Sequence, residues 1–220
     1  MRRGELKLSE NQLEETIKKR GVDGLPPFTT LTPLLDYWKG AADAPKPDDS
    51  RDAFTLIFET GCRRAEAVQI QGDQFTYNDG AILIRNVPVL KKPNPRDRFR
   101  DVLIKRDKLD PLADELVKLV ERRGDGYLLP GYAPFGQGRE LDRPMSEKSV
   151  YNRIVELSPD LFPHALRSYR ASFLVWVRHF ELRDLVDWFK WESRGGIQMA
   201  LHYTAQVDMA RKLGIDEVPL

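Results

Sequence analysis

PHALRSYRASFL, residues 163–174, carries the pattern on which the fold turns. Proline at 163 suits the first turn of a helix, where its missing N–H is not needed. His164 and Arg167 then lie one turn apart on one face, while Leu166, Phe173 and Val177 supply the core side. A helix start offers unpaired N–H groups and partial positive charge. A fixed cation and a titratable ring at such a place suit an anion. Alternatively, His164 caps the helix and Arg167 is simply solvated; in isolation the two weigh equally. Arg170, one turn further along, is expected to be a decoy.

A second arginine stands in a similar setting. In ETGCRRAEAVQI (59–70), Gly61 breaks a helix, Arg63 opens the next and Glu66 follows one turn later. A guanidinium there can hold a phosphate by two parallel hydrogen bonds. The plain alternative is an i,i+3 surface pair worth about 0.2–0.5 kcal/mol. Downstream, Tyr203 ends an amphipathic helix with Ile197, Ala200 and Leu201, and Trp191 precedes it. By themselves both aromatics read as core.

Composition narrows the class. The 220 residues suit one large domain, 41% are hydrophobic and 31% charged. No segment approaches the ~18 apolar residues of a membrane helix, and MRRGELKLSENQ has no apolar run behind its arginines. The single cysteine, Cys62, allows no disulfide within the chain, which points to a reducing, cytoplasmic setting. Net charge is only +1, yet Lys91, Lys92, Arg96, Arg98, Arg100, Lys105 and Arg106 crowd one stretch against Asp97 and Asp101. A local basic patch on a near-neutral chain suits nucleic acid. There is no phosphate-cradling glycine loop, HExxH or GxSxG, and His164, His179 and His202 are widely spaced. Neither a metal nor a cofactor is therefore expected.

The periodicity predicts helices over 9–21, 31–42, 51–61 and 62–71. QFTYNDGAILIR (74–85) reads as a hairpin about Asn78-Asp79-Gly80. NVPVL (86–90) and FRDVLIK (99–105) read as flanks of another, joined by the basic loop KKPNPRDR. Helices resume at 107–124, 146–157, 163–180, 181–191 and 196–206, after a long Gly/Pro loop over 124–144 that reads as surface and mobile. The fold class is mixed α+β, mainly α, with a three-stranded antiparallel sheet in one domain.

Taken in chain order, the motifs resemble the catalytic domain of the tyrosine recombinases, the phage-integrase family. TGCRRAEAVQI (60–70) looks like the family's TGxRxxE helix opening and HALRSYRASFL (164–174) like its HxLRxxxA segment. WFKWES…MALHYTA looks like the tryptophan variant of its Gly-His/Trp…Tyr segment, with Lys190 where the family usually has glycine. The resemblance implies the tyrosine-recombinase catalytic fold in a single domain over 1–220, with the family's amino-terminal core-binding domain absent. It implies a site-specific recombinase or integrase that cleaves and rejoins DNA through a 3′-phosphotyrosyl intermediate. Tyr203 would be the nucleophile, Arg63 and Arg167 the phosphate clamp, His164 a proton handler, Trp191 an indole donor and Lys92 the acid for the leaving oxygen. Lys91, Arg96, Arg98 and Arg100 would hold DNA. The implied partner is double-stranded DNA, bound as a homo-tetramer and left as a monomer or weak dimer, with no membrane and with nucleoid or viral DNA as its location. A type IB topoisomerase and a catalytically silent DNA-binding relative are the alternatives.

Overall fold

The structure, a computed structural model, describes residues 31–41, 44–90, 94, 98–110, 112–132, 140–158, 161–191, 197–198 and 200–201. The helix expected over 9–21 lies outside them. The order is α1 (Leu31–Gly40), α2 (Pro47–Thr60), α3 (Arg64–Ala67), β1 (Phe75–Tyr77), β2 (Ala81–Pro88), β3 (Phe99–Lys105), α4 (Ala113–Arg123), β4 (Pro130–Tyr132), β5 (Glu140–Pro144), α5 (Glu147–Val155), α6 (Pro163–Trp176) and α7 (Leu182–Phe189). Helices thus surround a small three-stranded antiparallel sheet, as the sequence pattern led one to expect.

Helix α2 is the axle. Pro47 sits in its first turn with Asp48 and Asp49, which favour the positive helix end. Phe54, Ile57 and Phe58 form the expected inward stripe, but Ser50, Thr55, Glu59 and Thr60 are buried too. A helix covered on all sides is a central one, and α2 packs against α4, α5 and α6. Phe58 meets Phe173 of α6 edge to face at 6.1 Å. Gly61 closes α2 in the left-handed region, at φ 58°. A Cβ there would come within 2.6 Å of the Phe189 ring and 2.9 Å of Trp188, so only glycine lets the α7 aromatics close over the turn.

The sheet order is β1-β2-β3, with Phe75 opposite Ile84 and Ile84 opposite Val102. The two segments read as AILIR and NVPVL are one strand. A bulge between Ile84 and Val87, with Asn86 at φ 56°, switches the buried positions from Ile82 and Ile84 to Val87 and Val89. That switch of parity made one bent strand look like two. The stretch read as a mobile loop over 124–144 also holds structure: Leu128 and Leu129 are core residues, and β4 pairs with β5. Helix α3 is shorter than expected, because Val68 to Ile70 turn away after one helical turn.

Arg170 is neither an anion ligand nor solvated. It donates a bidentate pair to Asp110 (2.9 and 3.0 Å) and lies 3.1 Å from Glu59 Oε2, all three buried. Burial first, then Asp110, pushes the Glu59 carboxyl well above the usual carboxylate range. The group wedges α6 against α2 and the start of α4. Removing the cation strands buried acids, so Arg170→Met should lower stability by about 3–5 kcal/mol, measured by urea denaturation.

Candidate active site

Arg63 caps α3 in extended conformation, directly after the Gly61 turn. Its Nη1 donates to Glu66 Oε1 at 2.8 Å, and its backbone N–H donates to Oε2 at 2.8 Å. The expected i,i+3 pair therefore exists, but it is not a surface pair: the Glu66 side chain is 1% exposed and that of Arg63 is 32% exposed.

Glu66 has a second cation. Arg167, projecting from α6, brings Nη1 to 3.8 Å from Glu66 Oε2 and donates to the carbonyl of Gly61. The guanidiniums of Arg63 and Arg167, far apart in sequence, converge on one carboxylate. Arg167 is 3% exposed and lies 4.5 Å from the centre of the Phe189 ring. Trp191 stacks on the other part of this wall, its ring 4.5 Å from Phe189 at 11°, and stands 5.7 Å from the Arg167 guanidinium. Its backbone is turned there by Lys190, which occupies the left-handed region at φ 53°. This is the conformation glycine takes most cheaply, which gives a physical sense to the departure at Lys190.

Arg100 requires a correction. It was expected to face DNA, but it is 4% exposed. Its Nη2 donates to Thr60 O at 2.7 Å and its Nη1 to Trp188 O, and it lies over the Trp188 ring at 4.7 Å. The alternation of β3 explains it: Val102 and Ile104 set the buried parity, and Arg100 shares it. Its inward direction was legible from that period of two. Arg98 is exposed, as expected for a surface cation. His164 is exposed one turn before Arg167, in the first turn of α6, where its carbonyl accepts from Ser168 Oγ at 3.1 Å. Lys91, Lys92, Arg96 and Tyr203 lie outside the described residues.

This cluster is rich in positive charge. Among the described residues, Arg63, Arg100 and Arg167 gather near a single buried carboxylate, Glu66. The neighbouring Cys62 thiol is pushed up by burial and stays neutral. Arg167 Nη2 is buried with no hydrogen-bond partner among the described residues. Such an orphan donor costs about 1–3 kcal/mol unless something accepts from it. Burial first, then Arg100 and Arg63, pushes the Arg167 guanidinium down to about 9. It is still charged at neutral pH, with Nη2 left without an acceptor among the described residues.

The sequence matches no family model and no curated protein. Solved structures do match. The XerH site-specific recombinase bound to difH substrate, in a pre-cleavage complex, aligns at a TM-score of 0.54 and 20% identity, over 82% of this chain and 50% of that one. Its post-cleavage complex with palindromic difH gives 0.55 and 20%, over 83% and 51%. This chain has the tyrosine-recombinase catalytic fold. It spans about half the length of the XerH chains it matches. The Tn1549 transposon integrase in complex with a circular intermediate DNA aligns at 0.49 and 13%, over 80% and 63%. Within the tyrosine-recombinase fold, the pocket lies where the end of α2, the start of α3, the middle of α6 and the end of α7 come together.

Arg167 titrates lower in the folded chain than in the unfolded one. The unfolded chain therefore binds more protons above about pH 9, and stability rises there as pH rises. Below about 9 the cost of the charge is carried in full. An anion in the pocket offsets that cost. At neutral pH, sulfate or phosphate should raise Tm more than sodium chloride of equal ionic strength. An anion at 100 times its Kd stabilises by about 2.7 kcal/mol. Arg167→Met should remove the difference, read by thermal denaturation.

Proposed function

We propose that the chain is the catalytic domain of a site-specific DNA recombinase or integrase, which cleaves and rejoins DNA through a 3′-phosphotyrosyl intermediate. The observation that carries this is the meeting of Arg63 and Arg167 on Glu66, with one Arg167 donor left without an acceptor among the described residues. The fold shared with a recombinase bound to its DNA substrate supports it. No helix among the described residues is long and apolar enough to cross a membrane. The partner in this reading is double-stranded DNA, on which the chain assembles as a homo-tetramer, in the nucleoid or on viral DNA.

In the proposed reaction, Tyr203 Oη attacks the scissile phosphorus in line, forming the Tyr–O–P bond as the P–O5′ bond breaks. Arg63 and Arg167 hold the non-bridging oxygens, where charge builds in the transition state. A tyrosine's ordinary pKa is about 10. The same cations ease loss of its proton, which His164 assists. Trp191 offers its indole N–H, which can only donate. Lys92, in the basic sequence segment between β2 and β3, gives its proton to the departing 5′-oxygen. The covalent bond keeps the phosphodiester energy, so the reverse attack by a 5′-hydroxyl rejoins DNA without an external energy source. Outside the pocket, Lys91, Arg96 and Arg98 contribute phosphate contacts. Six such contacts would cost about 10³-fold in affinity between 50 and 200 mM salt.

A duplex nicked near the cleavage site traps the intermediate, because the freed end diffuses away. The wild-type chain should give a covalent protein–DNA band, and Tyr203→Phe should abolish it while duplex binding persists in a mobility-shift assay. Arg63→Ala and Arg167→Ala should each slow its formation about 10²–10³-fold. A wild-type chain that binds the duplex and never forms the band is a silent relative instead. Supercoil relaxation without exchange between two sites would make it a topoisomerase.

A further inference from the structure

Arg100 is bound in a way that the phosphate chemistry does not by itself require. Its two donors go to main-chain carbonyls, of Thr60 and of Trp188, and its Nη2 lies 3.9 Å from Cys62 Sγ. Thr60 is the last residue of α2, and Trp188 lies in the last turn of α7. Carbonyls at helix ends lack intrahelical donors and carry partial negative charge, so one cation satisfies two helix ends at once. Each of these ends runs on into a pocket residue. The Thr60 end leads through Gly61, whose carbonyl Arg167 binds, to Arg63. The Trp188 end leads through Phe189 to Trp191. Two cations lie close to the Phe189 ring, Arg100 at 5.5 Å and Arg167 at 4.5 Å from its centre. Arg100 also lies near enough to Arg167 to act on it as a like charge.

We propose that Arg100 is a positioning residue of the anion pocket: it fastens the Arg63-bearing end of α2 to the Trp191-bearing end of α7 and backs Arg167 with a third positive charge. This rests on the strand-transfer reading above. A DNA-surface arginine would act on affinity. Arg100 acts on the rate of the chemical step, because it sets the spacing and potential of groups that touch the phosphate.

The test compares wild type, Arg100→Met and Arg100→Lys as full chains, on the nicked duplex, at saturating protein, across a range of pH. Arg100→Met should lower the rate of covalent-band formation about 10–100-fold, as loss of an outer-shell support does elsewhere, and leave duplex affinity unchanged. Lysine keeps the charge but cannot span both carbonyls. Buried beside Arg63 and Arg167, its ammonium has a depressed pKa. The ratio of the Arg100→Lys rate to wild type should therefore fall as pH rises, whereas a purely structural role gives a ratio flat with pH. Wild-type cleavage by Arg100→Met, or a flat ratio for Arg100→Lys, overturns the inference. Should Arg100→Met fail to fold, the Arg100→Lys ratio decides alone. Should wild type itself give no covalent band, the strand-transfer reading falls first. Arg100 is then judged by inorganic phosphate titration, monitored by the fluorescence of Trp188 and Trp191. Weaker, pH-dependent binding in Arg100→Lys upholds its role in the pocket, and equal binding overturns it.

Discussion

Like charges are forced together around the Gly61 turn, and the Glu66 carboxylate is what makes that tolerable here. Two unit charges 4 Å apart repel by about 4 kcal/mol at an effective dielectric of about 20, a large fraction of a domain's net stability. Glu66 accepts from Arg63 and lies within ion-pair range of Arg167. It also receives the backbone N–H groups of Arg63 and, at 3.4 Å, Leu90. The acid is thereby tied to α3 and to the end of β2, so it cannot swing away. Among the described residues, one carboxylate for three guanidiniums is too few to neutralise the pocket. The remaining demand for negative charge is what a phosphodiester would supply in the proposed reaction.

The rest of the fold serves that arrangement. A fully covered α2 fixes where the Gly61 turn emerges, and the missing side chain at Gly61 admits Phe189 and Trp188. Helix α6 reaches the same turn from the other direction, with Arg167 on the carbonyl of Gly61. Three residues further on, Arg170 faces a different company of buried acids and locks the helix against α2. Two arginines one turn apart thus divide the work: Arg167 keeps one donor, Nη2, without an acceptor among the described residues, and Arg170 has acids in excess. The Trp188 ring stands near both Arg170, at 5.8 Å, and Arg100, at 4.7 Å.

Much of this was legible in the letters, and the misses have physical causes. Local signals such as proline at a helix start, glycine at a helix end and Asn-Asp-Gly between strands act through short-range sterics. They marked the end of α2, the start of α6 and the first hairpin, but α2 begins at Pro47, four residues before the start expected at Arg51. The bend in β2 was hidden because a bulge reverses the inside–outside alternation without ending the strand. The status of Arg100 was misjudged for a different reason. Its neighbours in sequence are charged, whereas its neighbours in space, Cys62, Trp188 and Phe189, come from elsewhere in the chain. The parity of β3 held the clue, and the density of positive charge around it masked it. Glu66 was seen as Arg63's partner, but no local pattern could say that Arg167 would join it.

Arg167 reaches back 106 residues to Gly61, and Arg100 reaches forward 88 to Trp188. The pocket's cations are therefore not brought together by their own neighbourhoods. While the ribosome is still short of α7, Arg100 has no Trp188 carbonyl to bind. The same is true of any proteolytic piece cut before that helix. If the proposed strand cleavage holds, it would wait until synthesis and collapse have joined these distant segments, a delay that follows from chain topology.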